Sequence, residues 1–217
     1  WKPHVVFNLL EEFQGIVTYD HYVVAYLELM RQPYTGCNPR GMMISRDKVL
    51  TKQVLASHRI PTPRFQLFPY GERFREPRRL AFPLFVKSST DDASLGISQA
   101  SMVEDMARLR ERVEFIHEQL SSDALVEEYI DGRELYVGVL GNERLTALPA
   151  WEMDFGTLPL VQSAIATRRV KWDPAYQKRH GIATGPAHDL APGQQEALGR
   201  LAKRVYRALH MSGFARM

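Results

Sequence analysis

Two apolar runs separated by an Asp-Gly pair constrain the fold of this chain more than any other segment. The first run covers residues 124–130, and Asp131-Gly132 separates it from a second run at 135–140, which Glu134 precedes. An Asp-Gly pair between apolar runs is typical of a β-hairpin. The segment also suits a purine nucleoside, because strand amides and carbonyls can bind a base edge and a carboxylate can accept hydrogen bonds from both ribose hydroxyls. The segment alone leaves both interpretations open.

The composition is that of a folded globular protein. The 217 residues are 45% hydrophobic and 24% charged, which suffices for one large domain or two small ones. No apolar stretch reaches about 18 residues, so neither a transmembrane helix nor a membrane partner is expected. The N-terminus has no signal-peptide pattern and no initiator methionine, which suggests that the sequence begins inside a longer protein. The single cysteine, Cys37, excludes an internal disulfide, and we therefore expect a cytoplasmic location.

Positive charge is concentrated near the C-terminus. Residues 164–217 hold 10 Lys and Arg against 3 Asp and Glu, whereas residues 1–163 hold 18 against 22. Such a stretch can attract nucleic acid, an anionic surface or the phosphates of a small ligand, or it can be a solvated helix face. The sequence contains no nucleic-acid-binding motif and no interleaved aromatic residues, so we expect no nucleic-acid partner.

Hydrophobic periodicity predicts helices and strands that intermingle without a regular βαβ alternation, which favours an α+β fold. The runs at 124–130, 135–140 and 144–153 are expected to form an antiparallel meander, followed by an irregular region through His188. The other predicted elements are a strand at 5–10, a helix at 20–31, a helix from Ser45 to about His58, strands at 65–68 and 82–87, and helices at 106–120 and 192–211, the last with Leu198, Leu201, Val205 and Leu209 inward.

Two lysines and a polar loop are candidates for binding phosphate. Lys48 falls in the first turn of the helix predicted from Ser45, where a cation is unfavourable unless an anion is nearby; a surface lysine is the alternative. Lys87 ends the apolar run 82–86, and a lysine at the end of a buried strand usually has an anionic partner. The small polar residues at 88–96 could fold over a phosphate, although they lack the Walker A spacing and could also be a flexible linker.

Taken in order, these motifs resemble the ATP-grasp superfamily, and most closely its D-alanine–D-alanine ligase-like branch. The resemblance covers nearly the whole chain, and the joint order of the motifs is what makes it specific. The matching segments are Leu27-Glu28-Leu29-Met30, Pro33-Tyr34-Thr35-Gly36, Asp47-Lys48 with Lys52, Ile60-Pro61-Thr62-Pro63, Phe85-Val86-Lys87, Ser94-Leu95-Gly96, residues 126–135, Lys171-Trp172, Gly185-Pro186-Ala187 and Gly213-Phe214-Ala215-Arg216.

The resemblance implies an ATP-grasp fold with ATP between two α+β lobes, the C-terminal lobe being incomplete. Residues 1–44 would be the remnant of a preceding N-terminal substrate domain. Residues 45–125 would form the central lobe, and residues 126–217 the truncated C-terminal lobe.

The same resemblance implies which residues bind the phosphates of ATP. Lys48 and Lys87 would contact them, and Ser94 would belong to the loop that closes over them. Lys171 would reach the terminal phosphate.

For the nucleoside, the resemblance implies an adenine site lined by Glu127, Glu128 and Ile130. Glu134 would hold the ribose. Arg216 would be the catalytic residue that steadies the substrate carboxylate or the tetrahedral intermediate.

The implied reaction is ATP-dependent ligation. A carboxylate attacks the γ-phosphate to give an acylphosphate and ADP, and an amine then displaces phosphate to form an amide. Lysines and Mg²⁺ would neutralise the transferred phosphoryl group. The resemblance places the Mg²⁺ ligands beyond Met217, so no residue of this chain is assigned to the metal. Amino acids or short peptides are the expected substrates, and a homodimer is the expected assembly.

The sequence departs from the ligases at the positions that bind their first substrate. Glu11-Glu12 stands where the ligases carry His-Gly, and Ala93 and Trp172 replace a serine and a tyrosine that orient D-alanine. These differences leave the substrate pair open. A second hypothesis is an ATP-binding regulatory or degenerate module without turnover.

Overall fold

The structure, a computed structural model, describes residues 3–90, 96–158 and 165–217. Helices and strands alternate irregularly along these residues, as an α+β fold predicts. None of the described helices has the length and apolar character needed to cross a membrane. The α-helices are α1 (Asp20–Leu29), α2 (Pro39–Arg46), α3 (Lys48–Ser57), α4 (Met106–Leu120), α5 (Arg168–Trp172), α6 (Pro174–His180) and α7 (Gln194–Ala208), and two short 3-10 helices cover Val17–Tyr19 and Gln99–Ser101. The strands are β1 (Phe65–Phe68), β2 (Leu84–Ser88), β3 (Met102–Val103), β4 (Ala124–Glu128), β5 (Glu134–Tyr136), β6 (Gly138–Leu140), β7 (Thr146–Ala147), β8 (Trp151–Asp154), β9 (Ala183–Pro186) and β10 (Phe214–Arg216).

The largest sheet has four antiparallel strands in the order β1-β4-β2-β3. Helix α4 packs on one face of it, because its apolar residues recur three and four apart and form a single stripe. Leu109, Val113 and Ile116 on this stripe are fully buried together with Leu84 and Val86 of β2. The predicted helix at 106–120 is confirmed.

The remaining strands form two three-stranded sheets, ordered β10-β6-β7 and β5-β8-β9. Helix α7 packs against the first of them, where Tyr206 and Ala202 are buried with Val137 and Val139. The predicted inward position of Leu201 is wrong, since this side chain is exposed. Leu198 packs against this cluster and Leu209 is buried, as predicted, and Ala202 and Tyr206 complete the apolar side of α7.

The predicted antiparallel meander is wrong in its first step, and so is the hairpin interpretation of Asp131-Gly132. Strand β4 pairs with β1 and β2 and not with the strand that follows the Asp-Gly pair. Three consecutive residues of β4, Ala124 to Val126, are fully buried, and a strand buried on both faces belongs inside a sheet. The later pairings are antiparallel as expected, but the second run divides at Val137 between β5, which pairs with β8, and β6, which pairs with β7.

The helix predicted from Ser45 to His58 is two helices that meet at Asp47. The backbone of Asp47 is extended, and its carboxylate accepts hydrogen bonds from the amides of Val49 and Leu50, both at 2.9 Å. An aspartate that satisfies the first free amides starts a new helix, so the N-cap of α3 is Asp47 and not Ser45.

Two further expectations differ from the structure. The strand expected at 5–10 is reduced to one isolated bridge between Val6 and Tyr34. The region expected to be irregular contains α5, α6 and β9, because Thr167 and Asp173 cap the two helices with their side chains. The proposed lobe boundary between residues 125 and 126 stays a prediction; β4, which crosses it, lies entirely in the four-stranded sheet.

Two of the matching motifs meet in space although they are far apart in sequence. Gly213 has a φ of +81°, and a β-carbon built on it would lie 1.9 Å from the carbonyl oxygen of Gly36. Its amide donates a hydrogen bond of 2.7 Å to Oδ1 of Asn142. The turn at Gly36 and the strand that carries Arg216 are therefore held together by a contact that only glycine permits.

Replacing Gly213 with alanine should lower the free energy of unfolding by about 2–4 kcal/mol, the sum of a left-handed conformation and an overpacked contact. Gly71→Ala is the matched control, because Gly71 has a φ of +79° but open space around it. Urea denaturation of both variants should give a loss at Gly71 of only about 1–2 kcal/mol. Equal losses would mean that the contact with Gly36 is unimportant.

Candidate functional site

A cavity of about 400 Å³ lies between the four-stranded sheet and the β5 segment. It brings together five of the predicted site residues, which come from β2, β4, the connection after β4, and β5. These residues are Lys87, Glu127, Glu128, Ile130 and Glu134; the remaining lining residues are Pro63, Phe85, Ile97, Tyr129, Gly132, Arg133, Ile165 and Ala166.

The register of the sheet explains why a lysine and a glutamate face this cavity. In β2, Leu84 and Val86 are buried under α4, so Phe85 and Lys87 point to the opposite face. Phe85 is paired directly with Glu127 of β4, and paired residues of antiparallel strands share a face. A shift of one residue in this register would bury the lysine under α4.

Glu127 lies between two lysines and is largely buried. Its Oε2 atom is 2.7 Å from Nζ of Lys52, and Oε1 contacts Nζ of Lys87. Lys52 also donates to Oγ1 of Thr62 at 2.6 Å and to the carbonyl of Pro63 at 3.2 Å. Two ammonium groups on one carboxylate leave a net positive charge, and of the two lysines Lys87 is the one that lines the cavity. The cluster therefore favours an anionic ligand there.

Burial and the lysines act in opposite directions on the Glu127 carboxyl. Burial raises its pKa, but Lys87 and Lys52 lower it more strongly, so the net pKa lies below the ordinary value of 4.5. For Lys52 the largest effect is burial, which lowers the pKa, and Glu127 only partly reverses it.

Acid should therefore weaken the protein through Glu127. Because its pKa is lower in the folded than in the unfolded protein, its stabilisation is complete above 4.5 and is lost as the pH falls towards the folded-state pKa. Urea denaturation between pH 7 and pH 3 should show the difference between wild type and Glu127→Gln shrinking below about pH 4.5. A difference that stayed constant to pH 3 would contradict this assignment.

Glu128 does not point its carboxylate freely into the cavity. Oε1 is 2.6 Å from Nη2 of Arg64, Oε2 accepts from Nε at 3.0 Å, and the amide of Ala81 also donates to the carboxylate. The amide of Tyr129 donates to Pro83 at 3.0 Å. No hydrogen bond from the next amide, that of Ile130, is found among the described residues, and Ile130 lines the cavity.

Glu134 is joined to Arg216 through a residue that sequence reasoning missed. The hydroxyl of Tyr136 donates to Oε1 of Glu134, and Cζ of Arg216 lies 5.0 Å from the centre of the Tyr136 ring. Tyr136 could have been found from its spacing, because it follows Glu134 by two residues in a strand and both side chains therefore lie on one face.

Lys52, which contacts Glu127, was also missed as a site residue.

Three predicted residues lie outside the lining of the cavity, and a fourth lies outside the described residues. Lys48 begins α3, and its amide donates to the carbonyl of Ser89 at 3.1 Å, beside the end of β2. Lys171 is in α5, and Arg216 is in β10. Ser94 falls in the range that the structure does not describe, as does Ala93. The roles assigned to all of the site residues stay predictions.

The residues at the cavity do not fit a Mg²⁺ site by themselves. Within residues 3–90, 96–158 and 165–217, no three Asp, Glu, His or Cys side chains converge as metal ligands would. Glu127 and Glu128 are already paired with lysine and arginine.

The chain has an ATP-grasp fold, which it shares with solved ligase structures, among them the following two. The D-alanine–D-alanine ligase of Bacillus anthracis complexed with ATP has a TM-score of 0.74 and 21% identity, and the match covers 98% of this chain and 62% of that one. The VanG D-Ala:D-Ser ligase of Enterococcus faecalis has a TM-score of 0.71 and 22% identity, covering 100% of this chain and 59% of that one.

The family follows from the sequence. The family model described as "D-ala D-ala ligase C-terminus" matches residues 54–217, and the chain belongs to this family. The uncharacterized protein y4sG of Sinorhizobium fredii is 40% identical over 70% of this chain and 44% of its own length. The D-alanine–D-alanine ligase of Bordetella pertussis is 29% identical over 88% of this chain and 56% of its own length. The chain thus spans about half the length of these relatives.

Proposed function

We propose that this chain is the ATP-binding part of an ATP-dependent carboxylate–amine ligase. The observation that carries the proposal is the positively charged cluster of Lys52, Glu127 and Lys87, which places a lysine in a cavity whose other side holds Glu134. A lysine can bind the phosphates of a nucleotide, and a carboxylate can accept hydrogen bonds from its ribose hydroxyls. Membership of the ligase family supports the same reaction class.

In this proposal each part of the nucleotide has its own residues. Lys87 donates to a phosphate oxygen, and Lys48 and Lys171 bind the phosphate chain further from the base. Ser94 belongs to the loop over the phosphates. Glu134 accepts hydrogen bonds from the ribose hydroxyls.

The adenine would lie against the residues that directly follow β4. Ile130 is 66% exposed, lines the cavity and offers both an apolar side chain and an amide for the base edge. Glu127 and Glu128 form the adjacent wall, with Glu127 holding Lys87 in place through its carboxylate.

The chemistry proceeds in two displacements. A substrate carboxylate oxygen attacks the γ-phosphorus, and the bond to ADP breaks. The amine of the second substrate then attacks the acyl carbon, phosphate leaves with the bonding electrons, and the amine loses a proton. Arg216 would stabilise the negative charge on the acyl oxygen in the second step. Mg²⁺ would supply further positive charge at the phosphates.

The substrates we propose are amino acids or short peptides, and the pair need not be D-alanine, since Trp172 and Glu11 differ from the ligase pattern. A cytoplasmic location and a homodimer complete the proposal.

Product analysis tests this proposal. The full-length protein is incubated with ATP, Mg²⁺ and a panel of D- and L-amino acids, singly and in pairs, and the nucleotides are separated. We expect ADP and phosphate that depend on a particular amino-acid pair. AMP and pyrophosphate would contradict the acylphosphate route, and ATP binding without turnover on any pair would favour a module that only binds nucleotide.

A further inference from the structure

Tyr136 contacts two residues to which the proposed function gives different tasks. Its hydroxyl donates a hydrogen bond to Oε1 of Glu134, on the ribose side. The face of its ring lies under the guanidinium of Arg216, with 5.0 Å between Cζ and the ring centre. One half-buried side chain thus connects the nucleotide cavity to the strand that carries the proposed catalytic arginine.

The backbone fixes this arrangement. Glu134 and Tyr136 are two residues apart in β5, so both side chains stand on the same face. Arg216 of β10 is paired with Gly138 of β6, two residues beyond Tyr136, which ends β5. Two backbone hydrogen bonds between Val137 and Met217, of 3.0 and 2.9 Å, hold the segment between β5 and β6 beside the end of β10. Paired backbone on both sides of Val137 therefore sets the positions of the three side chains, although β5 and β10 belong to different sheets.

The two contacts use different parts of the tyrosine. Burial, and then the hydrogen bond to Glu134, raise the pKa of the Tyr136 hydroxyl above its ordinary value of 10.0, so the hydroxyl is a proton donor well beyond neutral pH. The hydroxyl donates its hydrogen bond to Oε1 of Glu134, and no described residue donates to Oε2 of the same carboxylate. The ring faces of Tyr136 attract a cation independently of the hydroxyl. Substitution can separate the two contacts.

We propose that Tyr136 is a positioning residue that orients Glu134 towards the ribose through its hydroxyl and holds Arg216 at the acyl centre through its ring. This inference rests on the proposed function of Glu134 and Arg216. Ribose recognition and acyl transfer both depend on Tyr136. Removal of the whole side chain therefore impairs both, whereas removal of the hydroxyl alone impairs only ribose recognition.

The test compares Tyr136→Phe with Tyr136→Leu in the full-length protein. We expect Tyr136→Phe to reduce the preference for ATP over 2′-deoxy-ATP by about 3- to 10-fold, because Glu134 loses the bond that orients it. Its kcat for ADP formation should stay within about twofold, because the ring remains. Tyr136→Leu should in addition lower kcat by about fivefold. Tyr70→Phe, a tyrosine outside the cavity lining, should change neither quantity.

A double-mutant cycle with Glu134→Ala shows whether Tyr136 acts through Glu134. In the Glu134→Ala background, Tyr136→Phe should leave nucleotide preference unchanged. The inference is overturned if wild type discriminates ribose and Tyr136→Phe discriminates equally well, or if its effect persists without Glu134. If the wild-type protein binds no ATP at all, the proposed function is wrong, and the inference about Tyr136, which rests on it, is wrong as well. Circular dichroism of each variant separates these results from loss of the fold.

Discussion

Glu127→Gln is expected to lower the free energy of unfolding by about 3–5 kcal/mol at pH 7, although it changes neither size nor shape. The glutamate compensates two ammonium groups, and the Lys52 side chain is only 9% exposed. Without the negative charge, Lys52 is a buried cation whose remaining described partners, Thr62, Pro63 and the face of the Phe65 ring, carry no compensating charge. Urea denaturation followed by circular dichroism measures the loss.

Two companion variants test the cause of this loss. Glu128→Gln removes the neighbouring glutamate, whose partner Arg64 is 68% exposed in its side chain, and it should cost much less. Adding Lys52→Met to Glu127→Gln should restore part of the stability, because it removes the uncompensated buried charge. A double variant that is no more stable than Glu127→Gln would mean that the charge on Lys52 is not the cause.

Lys87→Met is expected to reduce kcat/KM for ATP in ADP formation by about 100- to 1,000-fold, the usual effect of losing one preorganised donor to a developing negative charge. The fold should persist, because Lys52 still neutralises Glu127. Steady-state kinetics on the full-length protein measure the effect. Lys203→Met is the control, since Lys203 lies on α7 and away from the cavity lining.

Two outcomes for Lys87→Met would carry different meanings. A loss of less than about threefold would contradict a phosphate role for Lys87. A large loss that appears only in the KM for ATP would place Lys87 in ground-state binding of the nucleotide and not in phosphoryl transfer.

The parts of the fold that were predictable are those decided by local pattern. Helix α4 carries its apolar stripe and its Asp105 cap within one continuous segment, so periodicity located it. The break at Asp47 was missed because Ser45 is an equally good cap by type, and only the backbone conformation distinguishes them. The position of β4 inside the larger sheet depends on pairings with β1 and β2, which no local pattern encodes.

The site residues also divide into those that a local sequence pattern predicts and those that depend on distant parts of the chain. Lys87 and Glu134 were found because each adjoins an apolar run, where a charged residue stands out. Lys52 was not found, because its burial depends on Glu127, 75 residues away, and on the Thr62-Pro63 segment. The site roles of Lys48, Lys171 and Arg216 were predicted mainly from the order of the motifs. None of the three lines the cavity.

Hydrogen–deuterium exchange with a non-hydrolysable ATP analogue tests most directly whether this cavity binds the nucleotide. The full-length protein with Mg²⁺ is compared with and without the analogue, and protection is mapped on peptides. We expect slowed exchange at residues 84–88 and 124–136, including the Ile130 amide, and no change in the arginine-rich segment 73–79. Protection confined to that segment or to α7, or bound analogue without protection at 124–136, would contradict nucleotide binding at this cavity.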